Sequence, residues 1–135
     1  MAVSVEGLAS AVKGRVVEAG APDYDESRTL YNAMIDKRPA AIAYCADEAD
    51  VAAALRYGTE HGLRIAVRGG GHNGAGLGSV DDGLVIDLSQ MNDISVDAPA
   101  RMARVGGGAL LLQERQLGLR LLQAALPERC AQWPT

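Results

Sequence analysis

A chain of 135 residues with a formal net charge of −4, 48% hydrophobic and 22% charged, has the balance of one folded domain and not of a disordered segment. The acidic balance leaves no basic stripe for a phosphodiester backbone, so nucleic acid is excluded as an expected partner. No window approaches the ~20 apolar residues of a membrane-spanning helix, so no membrane partner is expected. The N-terminus has no basic segment followed by an apolar core, which makes the cytoplasm the default compartment.

In chain order, Leu8, Val12 and Val16 recur at i, i+4 and predict a weakly amphipathic helix within residues 5–18, ended by Gly20 and Pro22. Asp23 to Pro39 is polar and mixed, with a helical turn around Tyr31 to Ile35. Ala40 to Cys45 (AAIAYC) reads as a buried strand. Asp47 then caps a helix, with Asp50 three residues on in the manner of a capping box. Val51, Ala54, Leu55 and Gly58 share one helical face, and His61-Gly62 ends it. Leu63 to Val67 is a second strand, which makes a βαβ unit with parallel strands.

A glycine-rich loop follows, then a third strand from Gly83 to Leu88. Ile94 to Asp97 and Met102 to Val105 predict a hairpin around Ala98-Pro99-Ala100, closed by the cluster Gly106-Gly107-Gly108. A Leu-rich helix is expected from Ala109 onward. The fold class is α+β (α/β-like). Its expected organisation is an N-terminal helix and linker at 1–22, a lobe at 23–111 and a tail at 112–135. Cys45 and Cys130 stand far apart with no Cys/His cluster, so neither a zinc site nor a disulfide framework is expected. Cys45 reads as a small buried hydrophobe.

The loop Arg68-Gly-Gly-Gly-His-Asn-Gly74 carries the chemistry. It satisfies G-x-G-x-x-G, and Asp87 sits near the spacing of a ribose-binding acid in a NAD(P)-binding unit. Such a loop must open directly into a helix whose N-terminus receives the pyrophosphate. Residues 75–83 (AGLGSVDDG) hold three glycines and two aspartates, a poor helix by propensity. A tight turn with a solvated His72 is the plainer alternative, but six glycines in ten residues exceed what one turn requires. Successive N–H groups facing an anion account for them better. Arg68 at the loop entrance either neutralises phosphate charge or is a solvated rim. His72 could donate to phosphate, act as a base or be merely solvated, since no acid stands at a defined spacing from it.

The run RPAAIAYCADEADVAAALRYGTEHGLRIAVRGGGHNGAGLGSVDDGLVIDLSQMNDISVD, with ARVGGGALL after it, resembles the start of the berberine-bridge-enzyme-like FAD-linked oxidases. These belong to the vanillyl-alcohol-oxidase superfamily with a PCMH-type FAD-binding domain. The resemblance covers about residues 14 to 111 and rests on R-G-G-G-H-N, I-D-L-S-x-M and V-G-G-G-A in combination. It implies the N-terminal lobe of that domain, with a βαβ unit, a glycine-rich loop and a following hairpin. It further implies that Arg68, Gly69, Gly70, Gly71, Asn73, Gly74 and Gly76 line the FAD phosphates. His72 would be the covalent attachment point to the flavin 8α-methyl carbon, and Leu77, Leu88, Ser89 and Gly107 would lie near the nucleotide. The implied reaction is hydride removal from an alcohol, sugar or amine carbon to flavin N5, then reoxidation by dioxygen.

The tail LQERQLGLRLLQAALPERCAQWPT does not follow the family pattern, so Cys130 receives no role. The expectation is a truncated or frame-shifted chain, catalytically incomplete. The alternative is a remnant that holds a nucleotide or a partner without catalysis; bound flavin that no substrate reduces would favour it. A lobe of this kind leaves apolar area uncovered and is expected to self-associate. A melting transition independent of protein concentration would contradict that expectation.

Overall fold

Two four-residue segments, Ala41–Tyr44 (β2) and Leu84–Asp87 (β4), are buried almost throughout, and they form the centre of the main sheet. The computed structural model describes residues 5–97 and 99–110. Its elements begin with α1 (Glu6–Ala11), β1 (Arg15–Glu18) and α2 (Tyr24–Arg28), followed by β2 and α3 (Glu48–Glu60). Next come β3 (Ile65–Arg68) and β4, and the hairpin β5 (Ile94–Asp97) and β6 (Met102–Val105) forms a separate two-stranded sheet.

The four-stranded sheet runs β1-β2-β4-β3. β1 is antiparallel to β2, while β2 and β3 are each parallel to β4. The βαβ unit therefore exists with its strands apart, because β4 enters between them. A strand with every side chain buried needs a neighbour on each edge and cover on each face. β3, with an alternating burial pattern, takes the edge. Leu8, Ala43, Ala54, Leu84 and Ile86 pack α1 and α3 on one face of the sheet. Val17, Tyr24, Ile42, Ala66 and Val85 form the core of the other.

Three sequence expectations change. Val16 belongs to β1 and not to a helix, since α1 stops at Ala11. A side chain at Gly14 would run into the Tyr44 carbonyl, so the chain there turns tightly against β2 instead of continuing a helix. The polar stretch from Asp23 contains α2, and Tyr31–Ile35 is a single turn closed by the Ile35 N–H on the Asn32 carbonyl at 3.0 Å. Leu55 faces solvent at 50% exposure; the buried positions of α3 are Asp50, Ala54 and Gly58.

The cap of α3 forms as expected on one side only. Asp47 Oδ1 accepts the Asp50 N–H at 3.0 Å. Asp50 does not answer to Asp47. Its buried carboxylate accepts the N–H groups of Lys13, Gly14 and Ala46 at 2.8, 2.9 and 3.0 Å, which ties the α1–β1 turn to the start of α3. Burial pushes this carboxyl up, and the three N–H donors outweigh it and hold it below the usual carboxylate range.

Residues 69–83 follow β3 as irregular turns with no helix, which removes the NAD(P)-binding alternative. The hairpin is present as expected. The Leu-rich segment and Cys130 lie outside the described residues, apart from Ala109 and Leu110. No helix among the described residues is long and apolar enough to cross a membrane.

Candidate functional site

Pairing in register sets one row of side chains across the whole sheet: Arg15, Tyr44, Asp87 and Arg68. Tyr44, Asp87 and Arg68 end the three parallel strands, and ligands in sheets of this kind gather outside such carboxyl ends. All four residues line a cleft of about 580 Å³, together with Gly69, Gly70, Gly71, Ser89 and Gly108. A smaller hollow of about 270 Å³ shares Arg68 and these three loop glycines and adds His72, Asn73 and Leu77.

Arg68 is not a solvated rim. It is 6% exposed, its Nε donates to Asp87 Oδ2 at 2.6 Å, and its Nη2 donates to the Ser27 carbonyl at 2.9 Å. Asp87 Oδ1 in turn accepts the Ser89 N–H at 2.9 Å. Asp87, considered above as a ribose-binding acid, is thus the partner of Arg68. The remaining nitrogen, Arg68 Nη1, is buried with no hydrogen-bond acceptor in the structure. Arg15 lies 4.9 Å over the Tyr44 ring and pairs with Asp23 at the cleft edge.

The loop beyond Arg68 presents its backbone. Among the described residues, the N–H groups from Gly69 to Gly74 meet no backbone or side-chain acceptor. The two glycine clusters touch: a Cβ at Gly69 would stand 2.7 Å from the Gly107 carbonyl oxygen, so protein packing alone demands glycine there. Gly74 differs. Its φ is not in the left-handed region and a Cβ there would meet nothing within 4 Å, so neither strain nor packing explains it.

His72 is exposed, and its ring centroid lies 4.6 Å from that of Tyr31. No carboxylate bonds to it among the described residues, so a catalytic dyad is not built there. Gly76 is buried against Ile35 and its N–H is taken by the Asn73 carbonyl at 3.0 Å. Gly74, Gly76, Leu88 and Gly107 line neither hollow. Cys45 is fully buried, and burial pushes its thiol up to about 11, which makes it an inert core residue. Sequence reasoning missed Tyr44, Arg15 and Gly108; sheet register brings the first two to the cleft, and Gly108 arrives by packing on Leu88 and Ser89 with its N–H on the Met91 carbonyl at 3.0 Å.

An open run of amides, an unpartnered buried guanidinium nitrogen and a glycine that packing leaves unexplained fit a pyrophosphate. Residues 39–117 match the FAD binding domain family. The chain belongs to that family. Among curated relatives, this FAD binding domain is 37% identical over 99 residues to (R)-6-hydroxynicotine oxidase of Paenarthrobacter nicotinovorans, covering 73% of this chain and 22% of that protein. It is 34% identical over 110 residues to glucooligosaccharide oxidase of Sarocladium strictum, covering 80% and 22%.

Its fold superposes on solved flavoprotein structures. For 6-hydroxy-D-nicotine oxidase from Arthrobacter nicotinovorans the TM-score is 0.77 at 34% identity, over 82% of this chain and 24% of that one. For the berberine-bridge-enzyme-like protein 1 of Physcomitrella patens it is 0.74 at 31% identity, over 87% and 25%. For glucooligosaccharide oxidase from Acremonium strictum, whose FAD carries 6-S-cysteinyl and 8α-N1-histidyl links, it is 0.72 at 34% identity, over 87% and 24%. The resemblance to berberine-bridge-enzyme-like, PCMH-type oxidoreductases therefore holds, and FAD is the cofactor of the domain. The chain spans only about a fifth to a quarter of the length of these relatives.

Proposed function

We propose that these 135 residues form the FAD-holding lobe of a flavin-dependent oxidase and are not a complete catalyst by themselves. The observation that carries this reading is the unbroken run of N–H groups from Gly69 to Gly74 without acceptors among the described residues. In this reading Gly69, Gly70, Gly71, Asn73 and Gly74 bind the FAD pyrophosphate through their amides. Arg68 contributes Nη1 alone, because Asp87 and Ser27 hold the rest of its guanidinium. Ser89 and Leu77, at the rims of the two hollows, border the nucleotide. Leu88 and Gly107 act from behind, by packing on each other.

His72 is the covalent attachment point. Its exposure leaves an imidazole nitrogen free to bond to the flavin 8α-methyl carbon. Forming that bond would remove one hydrogen from the nitrogen and one from the methyl, with dioxygen as the oxidant that takes up both. Bound FAD supplies the redox chemistry, taking a hydride from an alcohol, sugar or amine carbon and passing the electrons to dioxygen. Substrate selection falls to parts of a full-length relative that these residues do not match.

Gly74→Val tests the reading, because a side chain there has room in the protein but would crowd the open approach to the amides assigned to phosphate. The melting temperature should stay that of wild type, as for a surface change worth within about 0.5 kcal/mol. FAD affinity, measured by quenching of flavin fluorescence, should fall at least about tenfold. Unchanged affinity in a folded variant would contradict the loop as the phosphate site.

A further inference from the structure

The segment from Tyr31 to Lys37 packs on the glycine loop, and among the described residues its hydrogen bonds to the loop all go to carbonyl oxygens. The Tyr31 N–H donates to the Gly71 carbonyl at 3.3 Å, and Asn32 Nδ2 donates to the Gly74 carbonyl at 3.1 Å. Lys37 Nζ donates to the carbonyls of both Gly76 and Ser79, at 2.8 and 3.0 Å. In a planar trans peptide the carbonyl of one residue and the N–H of the next point in opposite directions. Holding the Gly71 and Gly74 carbonyls on one side therefore aims the His72 and Ala75 N–H groups to the other. The clamp thereby orients the His72 N–H, a member of the open run, and the Ala75 N–H just after it.

Lys37 is the strongest part of this clamp. It is half-buried, and among the described residues it forms no ion pair, so its partners are the loop carbonyls alone. An ammonium with no carboxylate beside it is an uncompensated positive charge behind a loop that faces an anion. A hydrogen bond from a charged donor is also stronger than a neutral one. Sequence gives little hint of this: Lys37 lies 39 and 42 residues from the carbonyls it holds.

We propose that Lys37 is the positioning residue of the FAD-binding loop: it fixes the Gly76 and Ser79 carbonyls and so the turn whose Gly76 and Leu77 N–H groups hold the carbonyl and side-chain oxygens of Asn73, within the run of open amides. This rests on the functional reading above for the identity of the ligand, but not for the clamp itself. The test compares wild type, Lys37→Met and Lys37→Arg. Amide hydrogen exchange is read at Gly76, Leu77 and Ser79, whose N–H groups bond within the loop, and FAD affinity is measured in parallel.

The expected result for Lys37→Met is about tenfold faster exchange at those three amides, unchanged exchange in β2 and β4, and about tenfold weaker FAD binding. Lys37→Arg, which keeps the charge and can donate to both carbonyls, should restore most of both. Loop exchange equal to wild type would overturn the proposal, whatever the affinity does. Exchange that rises equally in β2 and β4 would also overturn it, since Lys37 would then serve global stability. A wild-type chain that binds no FAD while Lys37→Met still loosens the loop would leave the clamp standing and remove the functional reading instead.

Discussion

Arg68→Ala is expected to destabilise the protein by about 3–5 kcal/mol, because it strands a buried carboxylate. Asp87 has a side chain 4% exposed, and without Arg68 it would keep only the Ser89 N–H at 2.9 Å. The Ser27 carbonyl would lose its donor as well. A domain with a net stability of ~5–15 kcal/mol loses a large part of it in this way. Arg68→Met combined with Asp87→Leu should cost much less than either change alone, since a pair replaced by apolar groups leaves no unpaired charge. Urea unfolding of wild type, Arg68→Ala, the two single changes and the double variant gives the comparison. An Arg68→Ala midpoint equal to wild type would mean that the pair does not form as described.

Asp50→Ala should cost about 2–4 kcal/mol through a different route, the loss of one acceptor shared by three N–H groups. The Lys13 and Gly14 amides reach Asp50 from the α1–β1 turn, so the substitution uncouples that turn from α3 and also frees the Ala46 amide just before the helix. The same carboxylate gives a pH signature. Its folded-state pKa lies below its unfolded value, so the stability it contributes is complete above the unfolded value of about 3.9 and disappears as pH falls through the lower folded one. Wild type should lose stability steeply below about pH 4, and Asp50→Ala should show a shallower slope there. Parallel acid unfolding curves would contradict a carboxylate held in this way.

What the sequence made legible was local. AAIAYC, the cap at Asp47, the glycine loop and the hairpin all depend on neighbours within a few residues, and each appears where its pattern placed it. What escaped depends on partners far along the chain. Leu8, Val12 and Val16 share helical spacing by coincidence; the chain turns between the last two because Lys13 and Gly14 give their amides to Asp50, 37 and 36 residues away. Arg68 reads as an entrance cation until register places Asp87 directly opposite it. Leu55 fits the apolar stripe of α3, yet the helix buries a narrower face centred on Ala54 and Gly58.

The candidate site divides along the same line. Gly69 to Gly74 and His72 stand out as a motif. The floor of the cleft, made by Arg15, Tyr44 and Asp87, exists only once β1, β2 and β4 align. The glycines themselves carry two demands that the sequence cannot separate. Gly69 is needed where the Gly107 carbonyl comes close, whereas Gly74 has open space beside it.

Retention of flavin through denaturation tests most directly whether this loop holds FAD with His72 as the tether. The chain is expressed with FAD available and precipitated in acid, and the pellet is read for yellow flavin absorbance beside a His72→Ala variant. Colour that stays with the wild-type pellet and is lost from His72→Ala is the predicted result. A colourless wild-type pellet, or colour that survives in the variant, would contradict it.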